Sequence, residues 1–196
     1  LGVQSFDDEV LRWLGRRHNA ASARRACETV EAHFDNWATD LIFGAHPVSS
    51  WTATLDQCVS LNPKHVSCYG LTYETGTPFE SRANQAVDDD TWLTLYRQAH
   101  ATLTRSKTRT SEFRFGHLMA SCPNQNSDLQ SCYDHYEISN FAKPGYQCRH
   151  NLIYWHNEDY AGFGPGAYSY LNGVRARNHT TMDAYLAAPG AKLESL

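Results

Sequence analysis

No apolar run in the 196 residues approaches the roughly 20 residues needed to cross a bilayer. There is no long basic block, and the net charge is only -4. Binding to a nucleic-acid backbone by electrostatics is therefore not expected. The chain contains no G-x-S-x-G, so no hydrolase-type serine nucleophile is signalled. It has no internal repeat and no low-complexity tract. Its six cysteines, at 27, 58, 68, 122, 132 and 148, never fall as C-x-x-C. A chain of this length needs no disulfide staples, and a reducing compartment is expected. The sequence starts at Leu1, without an initiator Met, signal peptide or transit peptide, inside an apolar run. On that basis the front of a larger protein is expected to be missing.

What is present is a globular composition, 41% hydrophobic with a mean hydropathy of -0.56. The periodicity alternates strand with helix. Residues 1–6 read as a short strand, followed by a capping-box-like start from Ser5 to Asp8 and a helix with Val10, Leu11 and Leu14 on one face. A second helix from Ala20 carries Ala23, Cys27, Val30 and Phe34 on one stripe. "TDLIFG" (39–44) reads as a strand covered on both faces. Ser49 or Ser50 caps a helix bearing Trp51, Leu55, Cys58 and Val59. Residues 65–74 read as the next strand, the helix after Asp88 carries Trp92, Tyr96, Ala99 and Leu103, and 136–139 reads as a last strand. This α/β alternation fits a parallel sheet with outer helices, as a partial or closed barrel or as an open sheet. A barrel would place its chemistry at the C-terminal strand ends, where Gln4, Asp40, Thr72 and Glu74 fall. The stretch 107–132 has no sustained period and reads as an atypical insertion.

Several residues carry possible chemistry. Asp40 lies among residues that want burial, so it must be paired, either by loop amides or by a ligand's hydroxyls or amine. Gln4 and Arg16 gain meaning only if they converge with Asp40. An arginine fork suits a ligand carboxylate. "GFGPGA" (162–167) is no dinucleotide fingerprint, because Pro165 interrupts it. It reads as a tight turn needing positive φ, or as a backbone approaching a ligand closely. In "HNLIYW" (150–155) a helix would set His150 and Tyr154 on one face, with Asn151 and Trp155 as a neighbouring pair. A neutral imidazole can ligate haem iron while aromatic rings pack on the macrocycle. The same residues could equally be core filler. Cys148, His150 and His156 lack a fourth ligand, which argues against zinc.

The words "GVQSF", "LGR", "DLIFG", "YGLTYETGTPF", "YEISNFAKPGYQCRHNLIYW" and "GFGPGAYSYLNGVR" occur in that order. Together they resemble the HemW-like proteins, radical S-adenosylmethionine (SAM) proteins related to oxygen-independent coproporphyrinogen III oxidase. The resemblance covers nearly the whole chain outside 107–132. It implies an α/β fold: a partial parallel β/α (TIM-like) barrel of the radical SAM type, of which this chain supplies the later strands only. Residues 1–147 would be barrel. Residues 148–196 would hold the HNxxYW and GFGPGA segments leading toward the C-terminal domain.

The resemblance implies that Gln4, Arg16, Asp40 and, less directly, Thr72 contact SAM. The arginine would meet the methionine carboxylate and Asp40 the polar part of the nucleoside. It makes H-N-x-x-Y-W a haem-binding element, with His150 as iron ligand beside Asn151, Tyr154 and Trp155. The family's C-x-x-x-C-x-x-C motif for a 4Fe-4S cluster does not occur in this chain, nor does its glycine-rich SAM segment. Without three thiolates the cluster cannot be held in the family manner. The chain also departs at Tyr168, where the family usually has His, and at Ala45 and His46, where it has Leu before Pro.

The expected function is haem binding and transfer to haem-acceptor proteins, without radical chemistry by this chain alone. The alternatives are an oxygen-independent coproporphyrinogen III oxidase and a non-catalytic haem-binding fragment. The expected compartment is the cytoplasm or a mitochondrion or plastid.

Overall fold

The computed structural model describes residues 1–104 and 132–189, and the backbone of 192–194. The proposed insertion at 107–132 lies outside the described residues except for Cys132. The chain divides into two compact units, Leu1–Gln147 and Cys148–Leu196.

The first unit is built on a four-stranded sheet in the order β1-β2-β4-β3. Its strands are β1 (Ala38–Phe43), β2 (His65–Gly70), β3 (Asp134–His135) and β4 (Asn140–Ala142). β1 and β2 are parallel, as the alternation required, with α3 (Trp51–Ser60) as the crossover. β4 and β3 join antiparallel, so the sheet is mixed rather than purely parallel. The expected strand at 136–139 is the tight connection between them. A turn this short can only join antiparallel strands, and it leaves Ile138 59% exposed.

Residues 1–6 do not form a full strand. Gln4 makes a single parallel bridge to Leu41. Its φ of 69° then takes the chain out of the ladder and into α1 (Asp8–Trp13). The helix cap is Asp7, whose carboxylate accepts from the Glu9 and Val10 amides, rather than the expected pairing of Ser5 with Asp8. Ser5 instead accepts from the Asp7 amide.

Helices α2 (Ala20–Glu31), α3 and α4 (Asp89–Leu103) cover one sheet face, while Val10 and Leu14 of the α1 segment pack with Ile42 in a separate cluster. α2 is capped by Asn19 and buries Ala23 and Cys27. It ends before Phe34, which is 62% exposed instead of continuing the stripe. α3 begins at Trp51, but Ser50 does not cap it and donates to the Pro47 carbonyl. α4 is capped by Asp88 and buries Leu95, Ala99 and Leu103. Leu41, Leu55, Val66, Ala99, Leu103 and Phe141 are wholly shielded at the centre of this core. Phe43 packs among Trp51, Trp92 and Tyr96 at ring distances of 5.1 to 6.3 Å. Cys27, Cys58 and Cys68 are free buried thiols. Cys132 is disulfide-bonded.

The second unit holds α5 (Arg149–Trp155), α6 (Met182–Ala187) and an antiparallel sheet in the order β5-β6-β7. These strands are β5 (Tyr168–Leu171), β6 (Val174–Asn178) and β7 (Lys192–Glu194). β5 and β6 are a two-residue hairpin turning at Asn172 and Gly173, both with positive φ. Among the described residues no helix is long and apolar enough to cross a membrane.

Candidate functional site

In the first unit the site is set by the period of β1. Thr39, Leu41 and Phe43 are buried in the core, whereas Ala38, Asp40 and Ile42 are only half-buried. The strand is therefore two-faced, not covered on both sides as the run of apolar residues implied. The register places Ser67 directly opposite Asp40 in β2, and Asn140 opposite Ser67 in β4. His65 lies opposite Ala38, two residues along on the same face. Asp40, Ser67, Asn140 and His65 thus form one polar surface on the side away from the helical core.

That surface is buried but not saturated. His65 is 6% exposed and Asn140 4%. His65 Nε2 is hydrogen-bonded to the Tyr136 hydroxyl at 2.7 Å, while its Nδ1 has no partner. Asn140 Oδ1 and Glu137 Oε1 are likewise buried without one. Burial pushes the His65 pKa down, against the pull of the Asp40 and Glu137 carboxylates. The imidazole is therefore neutral at pH 7 and offers its second nitrogen to a ligand or a water. Unpaired polar atoms at this depth cost stability unless something bonds them.

Gln4 is tied to Asp40 through the backbone. Its amide donates to the Asp40 carbonyl at 2.7 Å, and its own carbonyl accepts from Ile42 at 2.9 Å. Arg16 follows α1, with its amide on the Leu11 carbonyl, and its side chain is exposed. Thr72 is exposed beyond the end of β2, which stops at Gly70 rather than running to Glu74. No hydrogen bond among the described residues links the Arg16 or Thr72 side chain to Gln4 or Asp40. The Asp40 carboxylate likewise bonds no described residue. His65, Ser67 and Asn140 are not among the residues the sequence singles out, although the polar alternation in "HVSCYG" marks His65 and Ser67 as one face of a strand.

In the second unit, α5 spans the HNLIYW segment and buries none of its residues. The helix does set His150 and Tyr154 together. The Tyr154 hydroxyl is 3.0 Å from His150 Nε2, and the rings stand perpendicular with centroids 5.0 Å apart. The Tyr154 ring meets Tyr160 at 4.6 Å, and Tyr160 lies 6.4 Å from Tyr170. Asn151 is half-buried, and Trp155 is 50% exposed.

The glycine segment is a tight turn, as its composition required. Gly164 and Gly166 have φ of 94° and 71°. Asn178 Nδ2 donates to the Gly162 and Gly164 carbonyls at 3.2 and 2.9 Å. At Gly162 a Cβ would fall 2.0 Å from the Tyr168 carbonyl oxygen, so the close approach is to the chain's own β5. The unit thus presents an exposed imidazole next to a continuous row of tyrosine rings, on a scaffold fixed by this turn. Among the described residues no group of three or more His, Cys, Asp or Glu could hold a metal ion.

No family model matches the chain. It is similar to the heme chaperone HemW of Synechocystis sp., with 34% identity over 94% of this chain and 40% of that protein. It is 37% identical to the heme chaperone HemW of Escherichia coli over 86% of this chain and 39% of that protein. The heme chaperone HemW of Lactococcus lactis is 30% identical over 98% of the chain. The chain spans about two fifths of the length of these relatives. Its structure matches that of coproporphyrinogen III oxidase (HemN) from E. coli, a radical SAM enzyme, with a TM-score of 0.66. That match covers 97% of this chain and 43% of the enzyme at 19% identity.

Proposed function

We infer, from a chain that is HemW-like along almost its whole length and carries part of the radical SAM fold, that the whole protein binds haem at His150 and hands it to acceptor proteins. The observation that carries this reading is the exposed His150–Tyr154 pair on a helix that buries none of its side chains. A histidine serving only to fill a core would be enclosed. This one faces outward with tyrosine rings beside it, which suits a flat ligand with a metal at its centre. Asn151 and Trp155 belong to the same helix and complete the proposed contact set.

The oxidase reading is the weaker one. The relatives similar in sequence are named as chaperones, and the oxidase resembles this chain in fold.

In the whole protein, SAM would lie along the polar surface of β1 and β2, with Gln4, Arg16, Asp40 and Thr72 as its contacts. Asp40 suits that role because its half-buried carboxylate bonds no described residue and is open to ligand hydroxyls or an amine. A 4Fe-4S cluster would supply the electron for radical chemistry. Within these 196 residues no cysteines have the spacing to hold it, so such chemistry belongs to the whole protein.

The test is a haem titration of this chain and of His150→Ala, followed by visible absorption. A shifted Soret band in the parent that is lost or moved in the variant is the expected result. Equal, weak binding by both folded proteins would remove His150 as the ligand.

A further inference from the structure

Two guanidiniums in the second unit have no role in the reading above. Arg175 and Arg177 lie two residues apart on β6 and therefore share a face of the sheet. Their Cζ atoms stand 5.2 and 5.8 Å from the centre of the same ring, Tyr168. Among the described residues neither arginine has a carboxylate partner. Two like charges gathered over one aromatic face repel each other. The ring quadrupole offsets part of that repulsion and holds both forks in place. Such an arrangement is preorganised for a ligand carrying two negative charges.

Register connects this pair to His150. Tyr160 and Tyr170 form a backbone bridge, and Tyr170 lies opposite Arg175. Residues directly opposite in an antiparallel ladder point to the same side. Tyr160, Tyr170 and Arg175 therefore stand abreast, with Tyr168 and Arg177 as the adjacent row on that side. Tyr154 closes on Tyr160 and bonds His150. Running along this one surface are an imidazole, a row of tyrosine rings and two arginines. The arginine strand is two strand spacings from Tyr160, about 10 Å. Tyr160, the ring that Tyr154 meets, thus lies within the width of one porphyrin of both arginines.

We propose that Arg175 and Arg177 form a dicarboxylate clamp that takes the two propionates of a porphyrin lying across the tyrosine surface. The clamp rests on the haem reading for its placement. Its own recognition depends on the carboxylates and not on the metal.

The experiment compares iron protoporphyrin IX with its dimethyl ester, and metal-free protoporphyrin IX with its dimethyl ester. Each is titrated into the full chain, Arg175→Gln/Arg177→Gln, each single Arg→Gln variant, and His150→Ala. The parent is expected to bind the free acids about tenfold or more tightly than the esters, the scale of a charge-assisted bond. The double variant is expected to lose that preference while keeping the parent's Soret position for bound iron porphyrin. The single variants are expected to fall between, which guards against misfolding of the double change. His150→Ala is expected to move the Soret band and leave the acid-over-ester preference intact.

A parent that does not distinguish acid from ester overturns the clamp, as does a preference that survives loss of both arginines. If the preference depends on the arginines but His150→Ala leaves the spectrum unchanged, the clamp stands and the iron-ligand reading fails.

Discussion

Tyr154 holds His150: its hydroxyl lies 3.0 Å from Nε2, with the two rings perpendicular. An imidazole whose Nε2 is engaged in this way has Nδ1 left as its other nitrogen. An iron binding Nε2 would first have to displace the tyrosine. Tyr154→Phe keeps the ring and removes the bond. Loss of such an orienting partner weakens metal-ligand affinity by about 10- to 100-fold. Haem affinity is expected to fall by about tenfold, with the Soret band shifted less than in His150→Ala. An unchanged affinity would show that the hydroxyl does not orient the ligand.

The glycine turn yields a sharper stability prediction. An alanine at Gly162 would set its Cβ 2.0 Å from the Tyr168 carbonyl oxygen, which belongs to backbone and cannot swing aside. Gly162→Ala is expected to cost more than about 3 kcal/mol and to disorder the β5-β6 hairpin. Gly164→Ala meets no neighbouring atom and suffers only its φ of 94°, costing roughly 1–2 kcal/mol. Amide-proton spectra of residues 148–189 in the two variants would rank them, and the reverse order would contradict the close approach.

His65 makes stability depend on pH. Its folded pKa lies below the ordinary 6.5 because of burial, despite Asp40 and Glu137 nearby. On acidification the unfolded chain takes a proton that the folded chain resists. Stability is therefore full above about pH 6.5 and falls as pH drops below it. His100, lowered by burial and by His135, adds to the fall with the same sign. Urea midpoints between about pH 8 and pH 5 should decline less steeply in His65→Gln than in the parent. Parallel slopes would exclude His65 as a contributor.

In the core, Leu41 is wholly buried at the centre of β1. Leu41→Ala is expected to cost about 2–5 kcal/mol by chemical denaturation. A loss below about 1 kcal/mol would mean that the sheet is not packed as described.

For the SAM proposal, Asp40→Ala in the full-length protein is expected to weaken SAM binding by about tenfold or more. Equilibrium binding measured by calorimetry checks it. Undiminished binding would remove Asp40 from the contact set.

Helices were well marked in the sequence because their periodicity is local. Asp88 and the stripe Trp92, Tyr96, Ala99 and Leu103 define α4 within one stretch of chain. His150 and Tyr154 meet for the same reason, being four apart on one short helix. The turn at 162–167 was legible because Gly164 and Gly166 must take positive φ. The strands near 136–142 were misjudged. "YEIS" has strand-like residues, but a two-way pairing of β4 with β2 and β3 decides which residues enter the ladder.

By itself the sequence determined the helices of the first unit, the glycine turn, the pairing of His150 with Tyr154 that a helix there would bring and, through its ordered family words, the resemblance to HemW-like proteins. Tertiary structure alone decided that Asp40 shares a surface with Ser67, Asn140 and His65, and that Arg175 and Arg177 gather over Tyr168. The physical reason is register. A helix brings residues together by their spacing along the chain, whereas a sheet does so by how separate strands align, and that alignment is set by the packing of the whole unit.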